Sequence, residues 1–332
     1  MPQIDASLLE QLLTDILIRH NTSVSNARCV AQALVRADID GLHSHGAART
    51  FAYAKQARNG KVDGNATPTI THPTSGVICV DAAGGFAYPA IELGLEAAKR
   101  AVKTTGITML SVGQSHHSGA IGQFIEPLAI DGLLVMAFSN ATAAIAPAGG
   151  IKALFGTNPI AFAAPRKDAP PLLLDLSLSK VARGKIKLAA DAGRPIPEGW
   201  AIDTQGHPTT DSSAALDGAL LPIGEAKGAA LALMLELLCA GLSGSNYGFQ
   251  AGSFFTEDGV QPRIGQLFII IDPQHFQPRF AEHAEVLFRE ILAQPGTRLP
   301  GSQRFANRER ALCEGIDLDE ALLRQLETLA NS

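Results

Sequence analysis

Apolar residues recur at helical spacing over residues 5–19, where Leu9, Leu12, Leu13, Ile16 and Leu17 form one face. Ser7 and Glu10 stand at capping-box spacing in front of that face. A second helix is predicted over 25–40, stopped by Gly41, and a third over 47–58, ended by the turn dipeptide Asn59-Gly60. From about residue 75 short apolar runs alternate with helical ones. Strands are predicted at 77–81, 107–112, 134–138, 160–163, 172–176 and 266–271. Helices are predicted at 89–105, 119–131, 179–192 and 225–242, with two more near 279–293 and 318–330. Leu231, Leu233, Leu235, Leu237 and Leu238 leave few polar positions in 225–242, which places that helix in a core or at a subunit contact. The alternation gives an α/β class.

Composition narrows the picture. The 332 residues are 46% hydrophobic and 18% charged, enough apolar material for a large core. The net charge of −5, with scattered Lys and Arg and 5% aromatics, offers no basic face or stacking platform for nucleic acid. No secretory signal opens the sequence and no apolar run reaches the length of a membrane span, so a cytoplasmic chain with no membrane partner is expected. Cys29, Cys79, Cys239 and Cys313 form no CxxC pair and are expected to be buried, reduced thiols. No metal site is expected.

The polar signals are local. His43-Ser44-His45-Gly46, with Arg49 three residues on, puts imidazoles, a hydroxyl and a guanidinium just past a helix end. Such groups transfer protons and clamp carboxylates, although a solvated helix-end loop has the same composition. Ser115-His116-His117-Ser118-Gly119 lies between a predicted strand and helix, where free N–H groups and a positive dipole end face any ligand. Phe155-Gly156-Thr157-Asn158-Pro159 and Asp175-Leu176-Ser177-Leu178-Ser179 are further polar loops, the second opening the segment with Arg183-Gly184-Lys185. Read alone, Ser179 is a cap and Lys185 a solvated side chain. No two glycines are separated by a single residue, so the chain lacks GxGxxG, and it lacks a phosphate loop.

Together, HSHGxxR, SHHSGAIG, LFGTNPIAFAAP, LLLDLSLSKVARGK, GEAKGAALALMLELL and RLPGSQR occur in the order of one family. The chain resembles the malate/L-lactate dehydrogenase family of NAD(P)-dependent oxidoreductases, from its first helices to Arg304. Within it, residues 216–248 look most like the branch that reduces Δ1-piperideine-2-carboxylate and Δ1-pyrroline-2-carboxylate. The resemblance implies a non-Rossmann cofactor domain with a mixed or antiparallel sheet, plus an N- and C-terminal helical domain. Residues 1–75 would pack with 275–332, and 76–274 would bind cofactor and substrate. It implies NADPH or NADH as cofactor, a small-molecule 2-carboxylate substrate and a homodimer. His45 would be the proton donor with Ser44 as partner, and Arg49 and Thr157 would meet the substrate. His117, Ser118, Gly119, Ala120, Ile121, Asp175, Leu176, Ser177, Arg183, Gly184, Arg298 and Arg304 would meet the cofactor. The imine-reductase branch carries an aspartate at the position of Lys185, which hydroxy-acid members do not. Lys185 therefore enters the catalytic set with an open role. The expected reaction is reduction of the cyclic imine at C2, and the alternative is oxidation of a 2-hydroxy acid such as malate or L-lactate.

Overall fold

The computed structural model describes residues 3–331. Its centre is a seven-stranded sheet built from β1 (Thr69–Thr74), β2 (Val77–Asp81), β3 (Ile107–Ser115), β4 (Leu134–Ser139), β5 (Ile160–Ala164), β6 (Leu172–Leu176) and β7 (Ile264–Ile271). The spatial order is β1-β2-β3-β7-β4-β5-β6. Only β2 and β3 are parallel, with Val77 beside Met109, as their connection through a helix requires. All other pairs are antiparallel, including Gln266 with Val112 and with Ser139 on either side of β7. Strand periodicity then sorts the core. On β7, Leu267 packs into one cluster with Phe138, Ile145, Leu178 and Leu235, while Phe268 and Ile270 join the larger cluster on the opposite face.

That larger cluster contains the helices α1 (Ala6–Arg19), α2 (Val24–Ile39), α3 (Thr50–Arg58), α4 (Ala87–Thr105) and α5 (Gly122–Ile130). The chain continues through α6 (Arg183–Asp191), α7 (Ser212–Asp217), α8 (Ala226–Leu235), α9 (Phe280–Leu292), α10 (Ser302–Glu314) and α11 (Glu320–Ala330). Chain ends meet: Gln3–Ile4 pairs antiparallel with Ile316–Asp317, and α1 packs on α11. A small three-stranded sheet, Ala201–Ile202, Pro208–Thr209 and Ala219–Leu220, lies apart from the central one.

Several sequence expectations change. Asp5 caps α1 by accepting from the Ser7 and Leu8 N–H groups, so Ser7 is inside the first turn instead of capping it. Residues 179–182 precede the helix: Ser179 bridges to Pro222, its Oγ–H bonds the Val181 carbonyl, and Ala182 sits at the N-cap of α6. Residues 236–241 continue α8 as a π-helical turn. Strand β1 and helix α10 were absent from the hydrophobic reading. β1 is almost wholly exposed and α10 buries no residue fully, so neither carries an apolar period. Cys29 and Cys239 are buried, but Cys79 is half-buried and Cys313 exposed. No helix of the described residues is long and apolar enough to cross a membrane.

Candidate active site

The His-Ser-His-Gly loop is built on one buried carboxylate. α2 ends at Asp40, and Gly41 follows with φ +76°, a left-handed turn suited to glycine. Residues 43–45 and 47–49 form successive 3-10 turns. Both hang on Asp38, which accepts from the Ala47 N–H at 2.6 Å and contacts His43 Nδ1 at 2.9 Å. A Cβ at Gly46 would fall 2.1 Å from that carboxylate, so glycine is required there. The hydrogen bond to Asp38 ties the His43 ring to the scaffold and, with that carboxylate's charge, raises its pKa. With the loop so held, Ser44 Oγ lies 2.9 Å from His45 Nδ1 and the Arg49 Nε–H donates to the Ser44 carbonyl at 2.8 Å.

The β3–α5 loop faces this turn. The His117 ring stacks on His45 with centroids 5.7 Å apart. His117 Nδ1 is 2.6 Å from the Tyr53 hydroxyl and 3.4 Å from the Gly119 N–H. Gly119 can only donate, so Nδ1 is the acceptor and Nε2 carries the ring proton. Tyr53 donates to it, and the Tyr88 hydroxyl, 3.2 Å away, donates to Tyr53 in turn. His116 is fixed in the same way. Gln56 Nε2 donates to two carbonyls, leaving its Oε1, 2.9 Å from His116 Nε2, to accept from that ring nitrogen. His116 Nδ1 is buried without a partner.

All three imidazoles are kept neutral. Burial first, then Arg49 and Arg304, push the pKa of His45 down to about 4. Burial, then Lys61 and Arg49, push that of His116 down to about 3. Burial, Arg49, His45 and His116 lower that of His117 well below its ordinary value. No carboxylate among the described residues joins the groups acting on His45.

Behind the loop, Ser118, Gly119, Ala120 and Ile121 lead into α5, whose first N–H, from Gly122, donates to Asp175 Oδ2 at 3.0 Å. The same oxygen accepts from Arg304 Nη2 at 3.0 Å. A Cβ at Gly122 would lie 2.7 Å from Asp175 Oδ2 and 2.8 Å from Arg304 Nη1. Arg304 Nη1 is buried and donates to nothing. The orphaned Arg304 N–H beside the start of α5 suits an anionic group such as a dinucleotide phosphate, so these residues fit the expected cofactor.

The other predicted residues are more scattered. Thr157 is held through its carbonyl, which accepts from the Leu178 N–H at 2.7 Å. Its neighbours are organised by Glu236, a buried carboxylate in the π turn. Glu236 accepts from the Gly156 and Gly248 N–H groups and from Asn158 and Asn140 side chains at 2.9–3.2 Å. Ser177 Oγ lies 3.1 Å from Ser179 Oγ, and Leu176 is exposed. Arg183 donates to the Ala143 and Leu216 carbonyls at 2.9 and 3.2 Å, so its guanidinium is engaged structurally. Gly184 and Lys185 lie in the first turn of α6, where the Lys185 side chain is exposed and makes no hydrogen bond or ion pair. Arg298 is likewise exposed. No group of three His, Cys, Asp or Glu among the described residues could hold a metal ion.

Sequence reading passed over Asp38, Tyr53, Gln56, Phe254 and Glu236. Asp38 and Glu236 sit inside helical stretches, and the others lie far along the chain from the histidines they touch. Their only sequence signal is a polar or aromatic side chain at a position the fold buries.

Comparison with known proteins shows the family and the fold. Residues 4–327 match the family model of malate/L-lactate dehydrogenase. A (2R)-3-sulfolactate dehydrogenase (NADP(+)) of Chromohalobacter salexigens is 52% identical over 92% of this chain and 91% of its own length. A Δ1-pyrroline-2-carboxylate/Δ1-piperideine-2-carboxylate reductase of Pseudomonas putida is 40% identical over 97% and 95%. The crystal structure of Δ1-piperideine-2-carboxylate reductase from Pseudomonas syringae pv. tomato superposes with a TM-score of 0.94 at 37% identity, covering 99% of this chain and 100% of that one.

Proposed function

The chain belongs to the malate/L-lactate dehydrogenase family and is an NAD(P)-dependent oxidoreductase, and from that premise we propose that it interconverts a 2-hydroxy acid and its 2-oxo acid with NADP(H). The carrying observation is the charge around His45: two guanidiniums and no carboxylate act on it. A neutral imidazole can take the proton of a substrate hydroxyl, and in the reverse direction the imidazolium returns it to the forming alkoxide. Reduction of a cyclic imine passes through a protonated nitrogen, a cation that Arg49, which has no carboxylate partner among the described residues, would repel, whereas Arg304 is already paired with Asp175. An acid with a second anionic group, as in 3-sulfolactate, suits that field, and the 52% identical relative bears that name.

The nicotinamide would take up or supply the hydride at substrate C2. Ser44, through Nδ1, sets the ring of His45, and Arg49 holds the carboxylate with its terminal N–H groups because its Nε is bound to the loop. Thr157 would face the substrate. Arg304 Nη1, the Ser118–Ile121 loop and Asp175 would hold the cofactor, with Leu176, Ser177, Gly184 and Arg298 around them. Lys185 is exposed with no side-chain partner, so it has no scaffold role to lose and is the candidate to meet a second anionic group of the substrate. The experiment is turnover of purified protein with NADP or NAD and 3-sulfolactate, malate or lactate. Growth of the reduced nicotinamide absorbance with at least one acid supports the reading, and its absence with all three contradicts it.

A second reading, the cyclic-imine reductase, has its own support in the 40% identical relatives and the 0.94 superposition. We propose in addition that the chain is a homodimer. Leu231, Leu233, Met234 and Leu237 of the 226–241 helical segment are 39–55% exposed, an apolar surface that a subunit contact would cover. Light scattering that gives a single-chain mass would contradict this.

A further inference from the structure

Residues 252–260 form a strap whose ends nearly touch: a Cβ on Gly252 would fall 1.6 Å from the Val260 carbonyl oxygen. The strap is pinned to α3 and the turn after it, some 200 residues earlier in the chain. Gln56 Nε2 donates to the Phe254 and Thr256 carbonyls at 3.1 and 2.7 Å. The buried Lys61 ammonium donates to Thr256 O, Thr256 Oγ1 and Asp258 O at 3.0, 2.6 and 2.9 Å. Asn59 binds Asp258, and Lys55 pairs with Glu257. So many anchors, several of them buried, fix the two aromatic side chains at the front of the strap.

Those side chains have different duties. Phe254 is buried and packs its ring against His117 at 4.7 Å and His116 at 5.7 Å. Phe255 is 43% exposed, yet its ring lies under the Arg49 guanidinium, 5.1 Å from centroid to Cζ. Arg49 is therefore held twice. Its Nε–H is spent on the Ser44 carbonyl, and one face of its plane is covered by an aromatic ring. What stays free is the outer edge with the two terminal nitrogens, which matches a carboxylate in bidentate geometry. A guanidinium on a flexible side chain would otherwise lose rotamer freedom on every binding event.

We propose that Phe255 is a positioning residue for substrate binding: it preorganises Arg49 as a flat carboxylate fork. This rests on the reading of Arg49 as the carboxylate clamp, and the test separates the two. Four variants are compared with wild type on its best substrate: Phe255→Leu, Phe255→Met, Phe255→Trp and Arg49→Leu. The readouts are KM for the acid, KM for the cofactor, kcat, melting temperature, and the Kd of oxalate by calorimetry as a non-reacting carboxylate probe. Phe255→Leu should raise the acid KM and the oxalate Kd about two- to fivefold, the range of an exposed cation–π contact. Its kcat and cofactor KM should stay within about twofold. Phe255→Trp should return both carboxylate readouts to near wild type, and Phe255→Met should repeat the leucine result if that variant is poorly soluble. Arg49→Leu should raise the acid KM by a larger factor. An acid KM unmoved in Phe255→Leu but raised in Arg49→Leu overturns the inference and leaves the clamp standing. An acid KM unmoved in Arg49→Leu overturns both. A fall in kcat and melting temperature with both carboxylate readouts unchanged makes Phe255 a packing residue and overturns the inference.

Discussion

His45 shows how a residue's chemistry is set by what surrounds it. In solution an imidazole is half protonated near pH 6.5, but here burial and two arginines hold it neutral down to about pH 4. The sign of the consequence follows. For oxidation the free enzyme needs a neutral base, so kcat/KM should stay flat from pH 8 down to about 5 with no inflection near 6.5. For reduction the proton must be present, so kcat/KM should rise as pH falls through the same range. Pre-equilibrated pH–rate profiles in both directions check this, and an oxidation inflection at 6.5 or above would contradict it. The same neutrality bears on stability. His116 binds its proton less readily folded, at about 3, than unfolded, at 6.5. Its contribution is therefore full above pH 6.5 and is lost progressively as pH falls toward 3.

At the scale of elements, the site is assembled by helix ends and by charges buried between helices. Asp40 at the end of α2 and Glu126 on α5 are both buried and share Arg308 of α10, at 2.8 Å and 2.6 Å, and Arg36 of α2, at 3.6 Å and 3.0 Å. Arg304, one turn before Arg308, reaches Asp175 at the end of β6. This network ties the base of the His-Ser-His-Gly loop to the expected cofactor residues. Arg308→Met should be among the costliest single changes. Leaving two buried carboxylates short of a partner costs up to about 3–5 kcal/mol, reduced because Arg36 still faces both. Denaturant unfolding measures it, and a loss below about 1 kcal/mol would show that the network is not a structural tie. α10 also marks a limit of sequence reading. Arg304 and Arg308 turn inward beside Phe305 and Ala311, so charge anchors it as much as apolar contact and its apolar stripe is too short to find. The π turn at 236–241 was hidden for a related reason: Glu236 turns inward to collect four N–H groups, and nothing in an apolar run announces that.

Across the whole molecule, the parts legible in sequence are those with local causes. Strands β2 to β7 and most helices follow from apolar periodicity, and the missing GxG pointed away from a Rossmann turn. The strand order was not legible, since β7 enters between β3 and β4 from about 125 residues later. The stacking of His45 on His117 was not legible, since resemblance gave them separate roles only, and neither was the 252–260 strap that backs His117. Contacts of that span depend on topology, which local pattern does not encode. The substrate is where sequence and structure lean apart. The sequence around 216–248 resembles the imine-reductase branch, while the arginine-only surroundings of His45, Lys185 and the 52% identical relative favour a 2-hydroxy acid. The most direct measurement is the ratio of kcat/KM for NADPH-driven reduction of 3-sulfopyruvate to that for Δ1-pyrroline-2-carboxylate under identical conditions. A ratio well above one is predicted here, and turnover confined to the cyclic imine would contradict it.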